Sequence, residues 1–254
     1  IVLLDIMMPD MDGYEVCRRL KSDPLTSNIA VVFITAMGNE EHEAKGLDLG
    51  AVDFIAKPFQ PRLVRARVSN HVALKKYNDE VKERTKELYL SRSVTVECLA
   101  SVVETRDNET GAHVRRTQHG VEILAKRLRL MRPDIWDDDD DTIELFRVCA
   151  PLHDVGKVGI PDSILRKPGK LTEAEFNEMK KHTTLGYQTL SWAEKRMGGH
   201  NDFLRLGAVI AYTHHERWDG KGYPRGLKGE EIPRVGRLMA LADVYDALIS
   251  KRVY

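Results

Sequence analysis

The stretch Leu152-His153-Asp154-Val155-Gly156-Lys157 places an imidazole, a carboxylate and an ammonium group within one short segment. Further imidazoles and carboxylates lie far from it along the chain, at Glu109, His113, His182, His214, His215 and Asp243. Side chains of these two kinds hold clusters of hydrolytic metal ions. The chain is therefore expected to fold so that distant segments bring them together around one metal centre.

The sequence around these residues has the periodicity of helices. Helical patterns cover Val94 to Thr105, His113 to Leu130, Thr142 to Leu152, Glu173 to Lys181, Phe203 to Thr213 and Arg234 to Ile249, with Gly- or Pro-containing breaks between them. Helical bundles build metal centres from side chains that project inward from different helices. We therefore predict an all-α bundle for residues 94–254, truncated at its C-terminal end because no stop signal follows the last helix.

The spacing of the candidate ligands fits such a centre. Glu109 and His113 are four residues apart, so on a helix they share one face and can bind adjacent ions. Asp154 has two oxygens and can bridge two ions, which at a separation of ~4 Å can activate a water for attack on a phosphate. Lys157 lies one turn further on and is expected to face the same cavity. Histidine and carboxylate ligands without thiolate favour Fe or Mn, although the affinity order also permits Ni, Co or Zn.

Several longer motifs accompany these ligands. They are Glu104-Thr105-Arg106-Asp107, Thr110-Gly111-Ala112-His113, His214-His215-Glu216, Asp219-Gly220-Lys221-Gly222-Tyr223-Pro224 and Ala242-Asp243-Val244-Tyr245-Asp246-Ala247-Leu248. With the His153-Asp154 stretch, they make residues 95–254 resemble the HD-GYP family of phosphodiesterases, a subset of the HD metal-dependent phosphohydrolases. The resemblance implies that the substrate is the bacterial second messenger cyclic di-GMP, opened to linear pGpG, with GMP left open as a further product.

The same resemblance implies roles for individual residues. The metal ligands would be Glu109, His113, His153, Asp154, His182, His214, His215 and Asp243. Asp154 would bridge two ions, and the carboxylate at Glu109 implies a third, so two or three divalent ions are expected. Lys157, as a catalytic residue, and Arg252 would contact the substrate phosphate. Trp218 is expected to pack in the core; the alternative is that it stacks on guanine.

The first 60 residues have a different pattern. Three apolar runs, Ile1 to Leu4, Ala30 to Ile34 and Ala51 to Ile55, alternate with helical stretches, as expected of a parallel sheet covered by helices. A polar residue follows each run: Asp5, Thr35 and Lys57. In open α/β sheets, ligands bind at this edge. The pattern predicts an α/β, flavodoxin-like portion, truncated because residue 1 already lies within a strand pattern.

These polar residues occur within Asp5-Ile6-Met7-Met8-Pro9-Asp10-Met11-Asp12-Gly13, Thr35-Ala36 and Lys57-Pro58-Phe59. The combination resembles the receiver domain of two-component response regulators. The resemblance implies that Asp5 accepts a phosphoryl group from a cognate sensor histidine kinase, that Thr35 and Lys57 act as the receiver switch, and that the peptide bond before Pro58 is cis. It also implies a Mg²⁺ site in the complete protein, whose acidic pair would precede residue 1.

Residues 61–93 form a predicted helical linker. Pro61 opens a segment without further Gly or Pro, in which Leu74, Val81 and Leu88 repeat every seven residues and Tyr77 occupies the intermediate position. This spacing is that of a short coiled coil and would make the protein a homodimer. The alternative is a solvated helix packed on its own domain.

Composition restricts the class of protein further. The 39 basic and 39 acidic residues cancel, so no global field attracts nucleic acid or an anionic membrane surface. Three widely spaced cysteines argue against a disulfide framework, and no apolar run reaches the ~20 residues of a membrane helix, so a cytoplasmic location is predicted. Besides a signal-regulated phosphodiesterase, the sequence leaves open an inactive cyclic di-GMP receptor and a hydrolase of another cyclic dinucleotide.

Overall fold

The chain has two units, each with its own hydrophobic core. A computed structural model describes residues 1–36, 40–107 and 112–250, except for the side chains of residues 40–43. Its contacts divide the chain into an N-terminal unit, Ile1–Leu88, and a C-terminal unit, Tyr89–Tyr254. Within the described ranges, no helix is both long and apolar enough to cross a membrane.

The N-terminal unit contains a three-stranded parallel sheet, which confirms the predicted α/β class. Its strands are β1 (Val2–Asp5), β2 (Val31–Ala36) and β3 (Asp53–Lys57), in the order β1-β2-β3. Helices α1 (Gly13–Ser22) and α2 (Glu40–Asp48) form the two connections. The register pairs Asp5 with Ile34 and Ala36 with Lys57, so the predicted polar residues lie at one end of the sheet.

Local chemistry explains where α1 begins. The side chain of Asp12 accepts a hydrogen bond from the backbone N–H of Glu15 at 2.8 Å, which caps the first turn. Gly13 follows because a Cβ there would lie 2.3 Å from the carbonyl oxygen of Asp5. The helix packs Tyr14 and Cys17 into the core of the N-terminal unit. The Lys57-Pro58 peptide bond is cis, as predicted.

Helix α3 (Pro61–Arg106) combines the predicted linker with the first predicted helix of the bundle in one continuous element of 46 residues. Near its start, Arg67 donates to both carboxylate oxygens of Asp53 at 2.9 Å, and His71 lies 3.1 Å from the same group. In its last turns, Val96, Ala100 and other side chains are buried in the C-terminal unit. The helix therefore contributes to the core of the second unit and anchors to the sheet of the first.

The C-terminal unit is helical, as predicted. Its further helices are α4 (Ala112–Met131), α5 (Asp140–Cys149), α6 (Asp162–Leu165), α7 (Glu173–Met179), α8 (Lys181–Arg196), α9 (Asp202–Thr213) and α10 (Arg234–Ile249). Val121, Cys149, Ile210 and Met239 are almost completely buried in the core that these helices share. The patterns predicted α4, α9 and α10 to within a few residues, but the length of α8 was not foreseen.

The helix predicted over Thr142 to Leu152 ends early. Helix α5 stops at Cys149, and a 3₁₀ segment, Ala150–Gly159, follows it. Pro151 lies in the first turn of that segment, and proline lacks the N–H that would continue an α-helix. The stretch that carries His153, Asp154 and Lys157 is therefore a 3₁₀ segment rather than the end of an α-helix.

The run of five aspartates from Asp137 to Asp141, at the start of α5, is only partly solvated. Asp139 accepts a hydrogen bond from the N–H of Thr142 at 2.8 Å and caps the helix. Its negative charge also interacts favourably with the positive end of the helix dipole. Asp138 is 9% exposed and lies 3.2 Å from the guanidinium of Arg234. The run thus starts one helix and contacts the first residue of another.

Candidate metal centre

Four of the predicted ligands form one cluster. Asp154, His182, His214 and His215 each offer a ligand atom, and these atoms all lie within 4.8 Å of one another. Asp154 comes from the 3₁₀ segment, His182 from the start of α8, and the histidine pair from the residues directly after α9. This set of four is called the three-histidine group below.

Three further predicted ligands form a second cluster beside it. His113 at the start of α4, His153 on the 3₁₀ segment and Asp243 on α10 also place their ligand atoms within 4.8 Å of one another. This set is called the two-histidine group. Together the groups contain seven of the eight predicted ligands, and Glu109 lies outside the described residues.

Asp154 connects the two groups through its two oxygens. Its Oδ2 lies 3.2 Å from Nε2 of His153, which belongs to the two-histidine group. Its Oδ1 lies 3.5 Å from Nε2 of His182 and 3.7 Å from Nε2 of His214. A carboxylate with one oxygen towards each group has the geometry needed to bridge two ions.

Glycine lets the ligand-bearing segments approach closely. A Cβ on Gly156 would lie 1.9 Å from the carbonyl oxygen of His182 and 2.5 Å from the backbone nitrogen of Gly186. A Cβ on Gly236 would lie 2.2 Å from Oγ1 of Thr213, the residue before the histidine pair. The 3₁₀ segment can therefore touch α8, and α10 can touch the end of α9, only because these positions lack side chains.

Backbone carbonyls fix the tautomer of three histidines. Nδ1 of His153 lies 2.9 Å from the oxygen of Ala150, and Nδ1 of His182 lies 2.7 Å from that of Met179. Nδ1 of His214 likewise faces the oxygen of Ala211 at 3.1 Å. A carbonyl oxygen only accepts, so each Nδ1 carries a proton, and whenever the ring is neutral its lone pair is on Nε2.

These lone pairs point at one another. The Nε2 atoms of His182 and His214 are 3.4 Å apart, and both are acceptors in the tautomer that the carbonyls select. Nε2 of His153 and Oδ1 of Asp154 are also buried without a hydrogen-bond partner. Buried acceptors that face each other are unfavourable unless a cation lies between them, so the donor set fits metal ions.

The charges of His182 and His215 agree with this assignment. Burial lowers the pKa of His182 to about 4 and also lowers that of His215, so both rings are neutral at pH 7. Burial acts on His153 in the same direction, but the adjacent charge of Asp154 outweighs it and raises the pKa of His153 to about 9. Burial would raise the pKa of Asp154, yet the charges of Lys157 and His153 hold it well below its usual range. Asp154 is therefore ionised between the two groups, next to the positive charges of Lys157 and His153.

Lys157 faces the centre, as predicted. Its Nζ lies 2.8 Å from Oδ2 of Asp154 and 2.5 Å from Oδ2 of Asp107, the residue that follows α3. Arg106, the last residue of α3, donates to the carbonyl oxygen of Val158 at 2.9 Å and contacts Asp162 at 2.6 Å. The end of α3 is thus tied to both sides of the segment that carries Lys157.

The loop after the histidine pair is held by a buried carboxylate. Glu216 is 3% exposed and accepts hydrogen bonds from the N–H groups of Arg225 at 2.8 Å and Leu227 at 2.9 Å. Gly222 lies so close to the backbone that a Cβ would be 2.3 Å from the nitrogen of Arg217. The ring of Tyr223 packs 4.7 Å from that of His215, and burial raises the pKa of its hydroxyl. The loop therefore covers one side of the three-histidine group.

Other predictions have different outcomes. Trp218 is 62% exposed, so its expected place in the core is wrong; it lies on the surface of the loop, and the guanidinium of Arg237 is 5.9 Å from its ring. Arg252 lies outside the described residues. Sequence reasoning assigned no role to Asp107, Glu216 or Asp246, although Asp246 is three residues after Asp243 and so shares its helix face.

The receiver residues meet at the end of the sheet in the N-terminal unit. The ammonium of Lys57 contacts the carboxylate of Asp5, and that hydrogen bond lowers the pKa of Asp5. The N–H of Met7 donates to the same carboxylate at 3.1 Å. Thr35 is buried, and its hydroxyl donates to the carbonyl oxygen of Ala36 at 2.7 Å.

Comparisons with known proteins cover both units. The family model for the HD domain matches residues 97–254, and that for the response regulator receiver domain matches residues 1–69. A probable cyclic di-GMP phosphodiesterase of Vibrio cholerae is 48% identical over the whole chain, which spans 60% of that relative. The cyclic di-GMP phosphodiesterase response regulator RpfG of Xanthomonas campestris is 42% identical, again over the whole chain and 66% of the relative. A cyclic di-GMP phosphodiesterase of Thermotoga maritima is 37% identical over the whole of the present chain, which spans 70% of that relative. The chain thus spans less than two thirds of the first two relatives.

Proposed function

We propose that this chain, which belongs to the HD-domain family, is a metal-dependent phosphodiesterase that opens cyclic di-GMP to linear pGpG. It joins a response regulator receiver domain to the HD domain. Relatives that carry the name of this activity match the whole chain. The observation that carries the proposal is Asp154, whose two oxygens face two separate groups of histidines.

A bridging carboxylate supports hydrolysis more than it supports binding alone. A receptor for an anionic nucleotide needs positive charge and shape, which Lys157 and the loop around Tyr223 offer without seven converging ligands. Two ions held on either side of Asp154 would supply a strongly nucleophilic water and neutralise charge on the phosphate. The seven residues present fit that requirement, because their ligand atoms form two groups, in each of which the atoms lie within 4.8 Å of one another.

The chain's own residues then position the substrate. The ammonium of Lys157 lies beside Asp154, where it can contact a phosphate oxygen or stabilise the leaving oxygen. Arg252 is proposed as a second phosphate contact. Tyr223 is held against His215, so the loop limits access to the three-histidine group from that side.

The ions are proposed to be Fe or Mn, since the donors are imidazole and carboxylate without thiolate. Glu109 is proposed as the ligand of a third ion, four residues before His113. Metal analysis of protein purified without chelators tests both statements, because it gives the identity of the ions and their number per chain. Glu109→Gln should lower the number by one if the third ion is present.

Control of the activity is proposed to come from the receiver. Residues 1–60 would accept a phosphoryl group at Asp5 from a sensor histidine kinase, with Thr35 and Lys57 as the switch. Residues 61–93 would act as a linker and dimer contact, and residues 94–254 as the phosphodiesterase domain. The contact between Lys57 and Asp5 at the end of the sheet supports the first part of this assignment.

The deciding experiment is incubation of the full chain, after metal analysis, with cyclic di-GMP and separation of the products by chromatography. We expect pGpG from the wild type, and the same chromatogram resolves GMP as a second product. Asp154→Asn should give almost no product, because the amide cannot serve both groups. Asp134→Asn, which changes an exposed carboxylate paired with Arg132, is the matched control and should keep wild-type turnover.

Three outcomes would contradict the proposal in different ways. Equal turnover by the wild type and Asp154→Asn would remove the bridging carboxylate from the mechanism. Tight binding of cyclic di-GMP without turnover by metal-loaded protein would identify a receptor. Faster hydrolysis of a mixed GMP-AMP cyclic dinucleotide would assign another substrate to the same centre.

A further inference from the structure

The imidazole of His113 lies between two carboxylates of the same helix. Its Nε2 faces Oδ1 of Asp243 at 3.6 Å, and its Nδ1 lies 2.7 Å from Oδ2 of Asp246. The two aspartates are three residues apart on α10, so both point towards α4. One end of the ring therefore faces the candidate metal position, and the other faces a carboxylate that belongs to neither ligand group.

Asp246 is held firmly in this position. Asp246 is 3% exposed, and its carboxylate is paired with Arg116. Arg116 lies one turn after His113 on α4. Nε of Arg116 contacts Oδ1, while Nη2 lies 3.0 Å from Oδ2. Ser250 completes the set, with its Oγ 3.0 Å from Nη2 of Arg116. A bidentate guanidinium pair of this kind fixes the plane of a carboxylate.

His113 differs in this respect from His153, His182 and His214. Those three rings are oriented by neutral backbone carbonyls, whereas His113 is oriented by a charged side chain. A carboxylate on Nδ1 fixes the tautomer and also increases the basicity of Nε2 as a ligand. The two groups are therefore chemically unequal, although both contain imidazole and carboxylate donors.

We infer that Asp246 is a positioning residue that holds His113 with its proton on Nδ1, and that it thereby sets the metal affinity of the two-histidine group separately from that of the three-histidine group. The inference rests on the proposed metal centre and deepens it. It does not depend on the identity of the substrate, because the ligands and their partners all belong to the chain.

The substitution Asp246→Asn would invert the hydrogen bond. An amide has one acceptor oxygen, and the guanidinium of Arg116 would claim it because guanidinium groups only donate. The NH₂ group would then face Nδ1 of His113 as a donor, which forces Nδ1 to accept. The proton of the neutral ring would move to Nε2, the atom that must be free to bind an ion.

Metal titration gives the first test. Chelator-treated wild-type chain and Asp246→Asn are titrated with Mn²⁺ alone in a calorimeter, without substrate. We expect one binding step to weaken by about 10- to 100-fold in the variant, as for other groups that orient metal-bound histidines, and the other step to keep its wild-type affinity. Asp138→Asn is the control, since Asp138 is also a buried carboxylate paired with an arginine but touches no histidine.

Nitrogen NMR of histidine-labelled, chelator-treated protein gives the second test. The wild type should show His113 protonated on Nδ1, and Asp246→Asn should show the proton on Nε2. A wild-type ring protonated on Nε2 would overturn the inference even if the variant failed to fold. Unchanged Mn²⁺ affinities in a folded variant, or an equal loss in both steps, would also overturn it. Because neither test includes cyclic di-GMP, a failure here is distinct from a failure of the proposed activity.

Discussion

The carboxylate of Asp107 lies 2.5 Å from the ammonium of Lys157, so the residue that follows the long helix α3 is joined directly to a side chain of the candidate metal centre. Lys157 also contacts Asp154 at 2.8 Å and is therefore held between two carboxylates. If Asp154 held metal ions, Asp107 would still pair with the ammonium of Lys157. This pair connects the C-terminal end of α3 with the candidate metal centre.

Replacing Asp107 should impair catalysis without removing the ions. Asp107→Asn is expected to lower kcat/KM for cyclic di-GMP by about 10- to 100-fold, because a hydrogen bond to a charged group is worth about 1.5 to 3 kcal/mol. Lys157→Met should cost more, and both variants should bind metal as the wild type does. Lys167→Met, which removes an ammonium paired with Glu175 outside the centre, is the control. Wild-type kinetics for Asp107→Asn would rule out a role for this pair.

Metal removal should destabilise the C-terminal unit. Ions that bind only the folded state add free energy of unfolding, about 4 kcal/mol at a concentration a thousand times the Kd. We expect the thermal unfolding midpoint to fall on treatment with a chelator and to recover when Mn²⁺ is added. Asp154→Asn should show little response to either treatment. A midpoint that does not respond to metal in the wild type would contradict the presence of the centre.

Glycine at position 156 should be essential for assembling the centre. A Cβ there would meet the carbonyl oxygen of His182 at 1.9 Å, so Gly156→Ala must separate the 3₁₀ segment from α8. We expect a loss of about 3 kcal/mol or more in the free energy of unfolding, together with loss of metal binding. Gly169→Ala is the comparison, because its Cβ would meet nothing within 4 Å and only its positive φ opposes the change. That variant should lose about 1 kcal/mol and keep its metal.

The exposed apolar side chains of α3 should mediate dimerisation. Leu74, Val81 and Leu88 are 56%, 44% and 71% exposed, at heptad spacing. We expect light scattering to find a dimer. Val81→Glu should dissociate it, whereas the control Lys86→Glu, on the opposite side of the heptad, should leave it intact.

Cys98 lies ten residues after Leu88, at an intermediate heptad position. It is exposed, whereas the other two cysteines are buried. Mild oxidation should therefore cross-link two chains through Cys98, and a monomer at all concentrations would refute the dimer.

The anchor between β3 and α3 should make the N-terminal unit sensitive to acid. Burial raises the pKa of Asp53, but the hydrogen bonds from Arg67 and His71 outweigh it and leave the pKa below its usual value. A carboxylate with a depressed folded-state pKa stabilises above the unfolded value of about 4, and that contribution is lost as the pH falls through the folded value. Asp53→Asn should thus lower the free energy of unfolding in urea at pH 7, and the difference should shrink below about pH 4. A difference independent of pH would exclude the charge as its cause.

The sequence predicted the classes of both units because their signals are local. The apolar runs near Val31 and Asp53 have strand length, and the pattern over Arg234–Ile249 matches α10 residue for residue. Pro151 shows the limit of periodicity, since the α-helix ends at Cys149 and this proline lies in the first turn of the 3₁₀ segment that follows. The exposure of Trp218 could not be predicted because an aromatic residue in a loop has no periodic neighbours that indicate a face.

Candidate ligands were predictable as residue types, but their arrangement was not. Histidine pairs and the His153-Asp154 stretch identify possible donors, whereas the division into two groups depends on which helices touch. The same holds for Asp107, whose partner Lys157 is 50 residues away along the chain, and for Asp246, whose partner His113 is 133 residues away. Glu216 contacts Arg225 and Leu227, which are 9 and 11 residues away. Only the folded chain brings such pairs within hydrogen-bond distance.

The use of main-chain oxygens to orient His153, His182 and His214 has a consequence for how this centre can vary. Every residue type has a carbonyl oxygen, so a substitution at position 150, 179 or 211 that leaves the backbone in place keeps the acceptor for Nδ1. The orientation of His113 instead depends on the identity of one side chain, that of Asp246. A substitution at Asp246 would therefore change the orientation of one imidazole, whereas the orientation of the other three depends on main-chain atoms.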